Sequence, residues 1–165
     1  MLLTIDVGNT NITMGVFRED VLLGMFRMTT KRPRTSDEYG MTICGILEHR
    51  SIDPKKIRAV IIASVVPDIM HSLTSGIIKY LETTPLIVSA DSDTGIRVNT
   101  DNPSRTGPDR IVNAVAGYAI ARGPAIVIDF GTATTYDLIG PDSTLEACII
   151  APGIETAGRS LWGGA

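Results

Sequence analysis

The chain has 165 residues, of which 44% are hydrophobic and 20% charged, and a formal net charge of −3. This composition excludes a disordered chain and fits one ordinary domain or two small ones; the weak negative charge leaves no basic footprint for nucleic acid. No apolar run can span a bilayer and no secretory signal opens the chain, so no membrane partner and a cytoplasmic location are expected.

Residues 2–6 and 11–17 read as strands, and a third is expected at 21–28 after the turn residues Arg18-Glu19-Asp20. Three strands joined by tight turns imply an antiparallel meander. Thr35 or Ser36 is placed to cap a helix over 37–49, in which Tyr39, Ile43, Ile46 and Leu47 recur at helical spacing. After the Asp53-Pro54 break, residues 57–65 read as a buried, parallel strand. Pro67 then opens a helix whose apolar face is Ile69, Leu73, Ile77 and Leu81. A short strand is expected at 86–89, a long polar loop at 91–107 and a helix over 109–122 that stops at Gly123-Pro124. Two further strands and one helix follow residue 129. The expected fold class is therefore α/β with mixed sheets.

One short pattern occurs twice. Asp6-Val7-Gly8-Asn9-Thr10 and Asp129-Phe130-Gly131-Thr132-Ala133 each follow a short apolar run and lead into a second strand. A carboxylate at a strand end can hold Mg²⁺ beside phosphates. The glycine allows a tight turn, and Asn9, Thr10, Asn11 and Thr13 offer neutral donors to phosphate oxygens. A plain hairpin turn is the competing reading of either copy taken alone. Neither GxxxxGK[ST] nor a GxGxxG after the first strand is present, which excludes those two nucleotide-site types.

Between the copies stands Gly107-Pro108-Asp109-Arg110, at the junction of the polar loop and a helix. Asp109 reads either as a first-turn acid favoured by the helix dipole or as a base that takes a proton from an attacking hydroxyl. Arg110 would hold an anionic substrate group or a developing charge. Cys44 and Cys148 lack CxxC spacing and read as free thiols, and His49 and His71 have no ligand-spaced neighbours.

These three motifs, with Thr35-Ser36-Asp37-Glu38-Tyr39, Ser64-Val65-Val66-Pro67 and Ala151-Pro152-Gly153, resemble the type III pantothenate kinase family in order and spacing over essentially the whole chain. The resemblance implies an actin-like, ribonuclease-H-like duplicated-domain kinase fold, with a first domain at 1–114 and an incomplete second domain at 115–165. It also implies ATP-dependent phosphorylation of pantothenate, the first step of coenzyme A biosynthesis, by a homodimer. A catalytically weak or inactive nucleotide-binding module of the same fold is the alternative. By position, Asp6, Val7, Gly8, Asn9, Thr10, Asn11, Ile12 and Thr13 would form the first phosphate loop for ATP with Mg²⁺, and Thr132 would touch ATP from the other side. Gly107, Pro108, Asp109 and Arg110 would bind pantothenate, with Asp109 as base. Asp129 would help hold a monovalent cation, K⁺ or NH₄⁺.

Three departures from the family pattern stand out. The family's chains are longer; Thr100 occupies the place of a substrate-contacting tyrosine; and Ala147-Cys148 replaces a Gly-Gly pair. Trp162 is expected to anchor a core that the rest of a longer second domain would complete.

Overall fold

A computed structural model describes residues 1–30 and 33–163. The chain divides into two compact units, Met1–Val88 and Ser89–Ala165. The helix that spans the boundary expected after residue 114 packs on the strands that follow it.

The first unit holds β1 (Leu2–Val7), β2 (Asn11–Arg18), β3 (Val21–Thr29), α1 (Ser36–His49), β4 (Ala59–Ser64), α2 (Pro67–Leu81) and β5 (Leu86–Ile87). Its five-stranded sheet runs β3-β2-β1-β4-β5. β1, β2 and β3 form the expected antiparallel meander, while β4 lies parallel to β1 and β5 parallel to β4. Alternation decides which side of each strand is buried. Leu3, Ile5 and Val7 of β1 point into the core with Ile12, Met14 and Val16 of β2. The helices complete that core with Tyr39, Ile43 and Leu47 from α1 and Ile69, Leu73, Ile77 and Leu81 from α2.

Thr35 is the α1 cap: its hydroxyl accepts from the Glu38 N–H while the Glu38 carboxylate accepts from the Thr35 N–H. β4 is shorter than expected at its start, because the Ile57 N–H closes a 3-10 turn onto Pro54. α1 and α2 approach closely through glycines. A Cβ on Gly40 would overlap the Tyr80 ring, and one on Gly76 would lie 2.5 Å from the Ser36 carbonyl oxygen.

The second unit holds β6 (Arg97–Val98), α3 (Pro108–Ala121), β7 (Ala125–Phe130), β8 (Ala133–Ile139), β9 (Thr144–Pro152) and α4 (Ile154–Gly163). Its sheet order is β6-β9-β8-β7, again with an antiparallel meander over β7, β8 and β9. The segment expected to be loop throughout 91–107 contains β6, which pairs parallel with β9 and is reinforced by an Arg97–Asp142 ion pair. α3 ends with Arg122 in the left-handed conformation (φ 55°), one residue before the glycine expected to stop it.

The core here is small, centred on Ala114, Ile139 and Leu145. The opposite face of the sheet is uncovered: Ile126, Ile128 and Phe130 of β7 and Tyr136 and Leu138 of β8 are exposed. α4 buries none of its described residues, and Trp162, expected as an anchor, is 85% exposed. Gly164 and Ala165, the end of that expected tail helix, lie outside the described residues. Among the described residues no helix is long and apolar enough to cross a membrane.

Candidate functional site

The first acidic turn joins β1 to β2. The Gly8 N–H donates to the Asn11 carbonyl at 2.9 Å, and a Cβ on Gly8 would sit 3.2 Å from that same oxygen. Glycine is thus suited to closing the turn. Thr30 braces it from the end of β3, its N–H donating to the Thr10 carbonyl (2.9 Å) and its hydroxyl to the Gly8 carbonyl (2.7 Å). Asp6 lies opposite Thr13 on the ladder and exposes its carboxylate.

The predicted loop residues divide by burial. Val7 and Ile12 are core residues, at 1% and 0% exposure, and can meet a ligand only through their backbone. The Gly8 N–H is committed to the turn. Asp6, Asn9 and Thr10 are the exposed polar members, with Asn11 and Thr13 half-buried.

The second acidic turn joins β7 to β8 in the second unit. Asp129 lies opposite Thr135, so each copy sets its acid against a threonine on the neighbouring strand. The Gly131 N–H donates to the Ala133 carbonyl at 3.0 Å, leaving Thr132 alone at the tip. This turn is therefore one residue shorter than the first, whose tip is Asn9-Thr10. Gly153 seats the start of α4 on it: its N–H donates to the Thr132 carbonyl at 3.2 Å, and a Cβ there would overlap the Gly131 carbonyl oxygen. The Thr156 hydroxyl donates to the same Thr132 carbonyl at 3.1 Å. Asp129, Gly131 and Thr132 are exposed.

Asp109 and Arg110 occupy the first turn of α3, behind Gly107 at the N-cap and Pro108 at the first helical position. Proline is pre-set for that place. The Arg110 backbone N–H donates to Asp109 Oδ1 at 2.9 Å, and Arg110 Nε lies 3.5 Å from Asp109 Oδ2. Asp109 keeps 29% of its side chain exposed, whereas that of Arg110 is only 9% exposed. The loop reaches this turn through a Thr100–Thr106 hydroxyl pair at 3.0 Å, so Thr100 is tied to the approach to Gly107.

Beneath Arg110 lies a residue that the motif reading did not single out. Asp137 of β8 is fully buried, with Oδ1 3.6 Å from Arg110 Nη1. That separation is an ion-pair contact, too long for a good hydrogen bond. Among the described residues, neither Asp137 oxygen, Arg110 Nη1 nor the buried Thr135 hydroxyl finds a hydrogen-bond partner. Burial pushes the Asp137 carboxyl above its ordinary value, against the Cys148 thiol and the Arg110 charge that favour the carboxylate. Cys148 faces it from the paired position on β9, and its thiol is pushed up to about 12 by burial and then by Asp137. Local spacing gives no signal for Asp137: on β8 the polar Thr135 and Asp137 point inward while Tyr136 and Leu138 point out, the reverse of the alternation the sequence suggests.

No cluster of three or more histidine, cysteine, aspartate or glutamate side chains suited to a metal lies among the described residues. Asp6 and Asp129 are exposed acids at their strand ends, and carboxylates suit a cation that shares its ligands with water and phosphate. A groove between β3 and α1, lined by Met25, Phe26, Met41, Ile46, His49 and Arg50, includes none of the predicted site residues.

The sequence pattern of type III pantothenate kinases matches residues 2–165. A type III pantothenate kinase of Agathobacter rectalis is 54% identical over 162 residues, and one of Listeria innocua 46% identical over the same length. Each alignment covers 98% of this chain and 62% of the relative, so the chain spans less than two thirds of the relatives' length. Among solved structures, a candidate 2-dehydro-3-deoxygalactonokinase of Sinorhizobium meliloti superposes with a TM-score of 0.53 at 14% identity, covering 100% of this chain and 56% of the other. That likeness bears on the fold, which is the actin-like α/β arrangement of mixed sheets. The chain belongs to the type III pantothenate kinase family.

Proposed function

We propose that the chain carries the phosphoryl-transfer machinery of a pantothenate kinase, which moves the γ-phosphoryl group of ATP to the primary hydroxyl of pantothenate. The observation that carries this reading is the partly exposed Asp109 in the first turn of α3, held on one side by the buried Arg110. Asp109 takes the proton as the substrate oxygen attacks phosphorus, and Gly107, Pro108 and Arg110 shape the acceptor side. Phosphoryl transfer needs mainly position and charge neutralisation, so one base, a few donors and a cation suffice.

Asp6 and the polar tip Asn9-Thr10, with Asn11 and Thr13, would hold the ATP phosphates and Mg²⁺; Val7, Gly8 and Ile12 would shape that loop through their backbone. Thr132 would meet ATP from the second turn, and Asp129 would hold K⁺ or NH₄⁺. Bound Mg²⁺ supplies neutralisation of the phosphate charge. Pantothenate as acceptor, a homodimeric assembly and a cytoplasmic location rest on family membership.

The uncovered face of β7 and β8 favours a second reading, nucleotide binding without turnover. One experiment separates the two. ADP release is followed with ATP, Mg²⁺ and pantothenate, with and without K⁺ or NH₄⁺, beside a calorimetric ATP titration. The kinase reading expects pantothenate-dependent ADP release that the monovalent cation stimulates. Saturable ATP binding with no release would replace it by the binding-module reading, and neither signal would remove both.

A further inference from the structure

We propose that Asp137 is a positioning residue for the acid–arginine pair at the start of α3: it holds the Arg110 guanidinium from below so that Arg110 Nε faces Asp109. The inference rests on the reading of Asp109 as the base. Its geometry stands on the second unit alone.

Three observations point the same way. Asp137 is completely buried, yet it lies in the middle of β8 between Val127 of β7 and Cys148 of β9, where an aliphatic side chain would be the inexpensive choice. Its nearest positive charge is Arg110 Nη1 at 3.6 Å, and the same guanidinium reaches Asp109 through Nε at 3.5 Å. Arg110 is therefore clamped between two carboxylates, one buried and one partly open to solvent. With its side chain 9% exposed, the guanidinium orients Asp109 and balances its charge from within the acceptor side.

A buried charge that meets its partner by charge alone is sensitive to removal of either member. The groups facing Asp137 are Arg110 and Asp109 from α3 and Cys148 from β9. When Asp137 becomes neutral, the guanidinium loses its lower anchor and is free to turn Nε away from Asp109.

The test combines Asp137→Asn with Arg110→Met and Asp137→Leu. In the Asp137→Asn variant, kcat for pantothenate phosphorylation is expected to fall about 10- to 100-fold with the KM for ATP unchanged. The Arg110 Nε–H resonance, read by NMR in the ligand-free chain, shifts and exchanges faster with water. In the Arg110→Met background, Asp137→Leu costs no further turnover. That pair of substitutions also serves if Asp137→Asn does not fold, because it removes both buried charges together. A folded Asp137→Asn variant with unchanged kcat and Arg110 resonance would overturn the proposal, as would an additive loss in the double variant. A wild-type chain that transfers no phosphate would defeat the functional reading instead, and the Arg110 resonance would then decide the positioning claim on its own.

Discussion

Cys148 faces Asp137 from the paired position on β9, and its thiol lies beside the buried carboxyl. Raising a thiol from 9.0 to about 12 lowers the thiolate available at mild alkaline pH about a thousandfold. Burial also raises the Cys44 thiol, with help from Glu48. The folded chain should therefore react with a thiol reagent at about pH 8 far more slowly than the chain in denaturant; two rapid equivalents from the folded protein would contradict this environment. Asp137 has a pH signature of its own. Its carboxyl is raised by folding, so it favours the folded state below the ordinary carboxylate value, and that contribution is lost as pH rises through the raised value. Denaturation midpoints compared at about pH 4 and about pH 7 should fall less for Asp137→Asn than for the wild type. An equal fall would mean that Asp137 titrates as it does in the unfolded chain.

Among the elements, the contact between α1 and α2 is the one most dependent on small residues. Gly76→Ala would push a methyl group into the Ser36 carbonyl and the Gly40 N–H, both backbone groups that cannot turn away. It should cost about 1–3 kcal/mol as overpacking. Gly45 also lies in α1 but faces open space, so Gly45→Ala should stabilise by about 0.5–1 kcal/mol through helix propensity. Urea titration of the two variants checks both signs. The same elements show how far the pattern could be read. α1, α2 and the β1–β3 meander were legible because their apolar residues recur at strict spacing and their ends carry caps or turn residues. β6 was not: two residues in a polar segment carry no period, and they are held by distant partners, Thr144 and Leu145. In the candidate site, Asp109 and the two turns were visible as motifs. Asp137 was not, because its importance comes from Arg110 reaching it across the α3–β8 contact, which no local spacing reports.

For the whole molecule, the two units repeat one plan unequally. Each has an antiparallel meander with an acid–glycine turn between its first two strands. In the first unit β4 continues the sheet beside β1, whereas in the second no strand among the described residues lies on the matching edge of β7. Phe130 is 67% exposed, and Ile126 and Ile128 accompany it on one face, while Ile154, Leu161 and Trp162 are exposed on α4. Apolar patches of this kind on a folded chain bind other apolar surface. The 165-residue chain should therefore enhance the fluorescence of an apolar dye under native conditions, and Phe130→Ser should reduce that signal. A native chain that leaves the dye dark would mean the face is covered in solution.

As proposed, Asp109 is the proton acceptor for transfer from ATP to pantothenate. Phosphorus NMR of wild type and Asp109→Asn, each with ATP, Mg²⁺, K⁺ and pantothenate, tests it most directly. A phosphomonoester signal that grows with the wild type and about 100- to 10,000-fold more slowly with the variant is the predicted result. Equal growth with both proteins would contradict it.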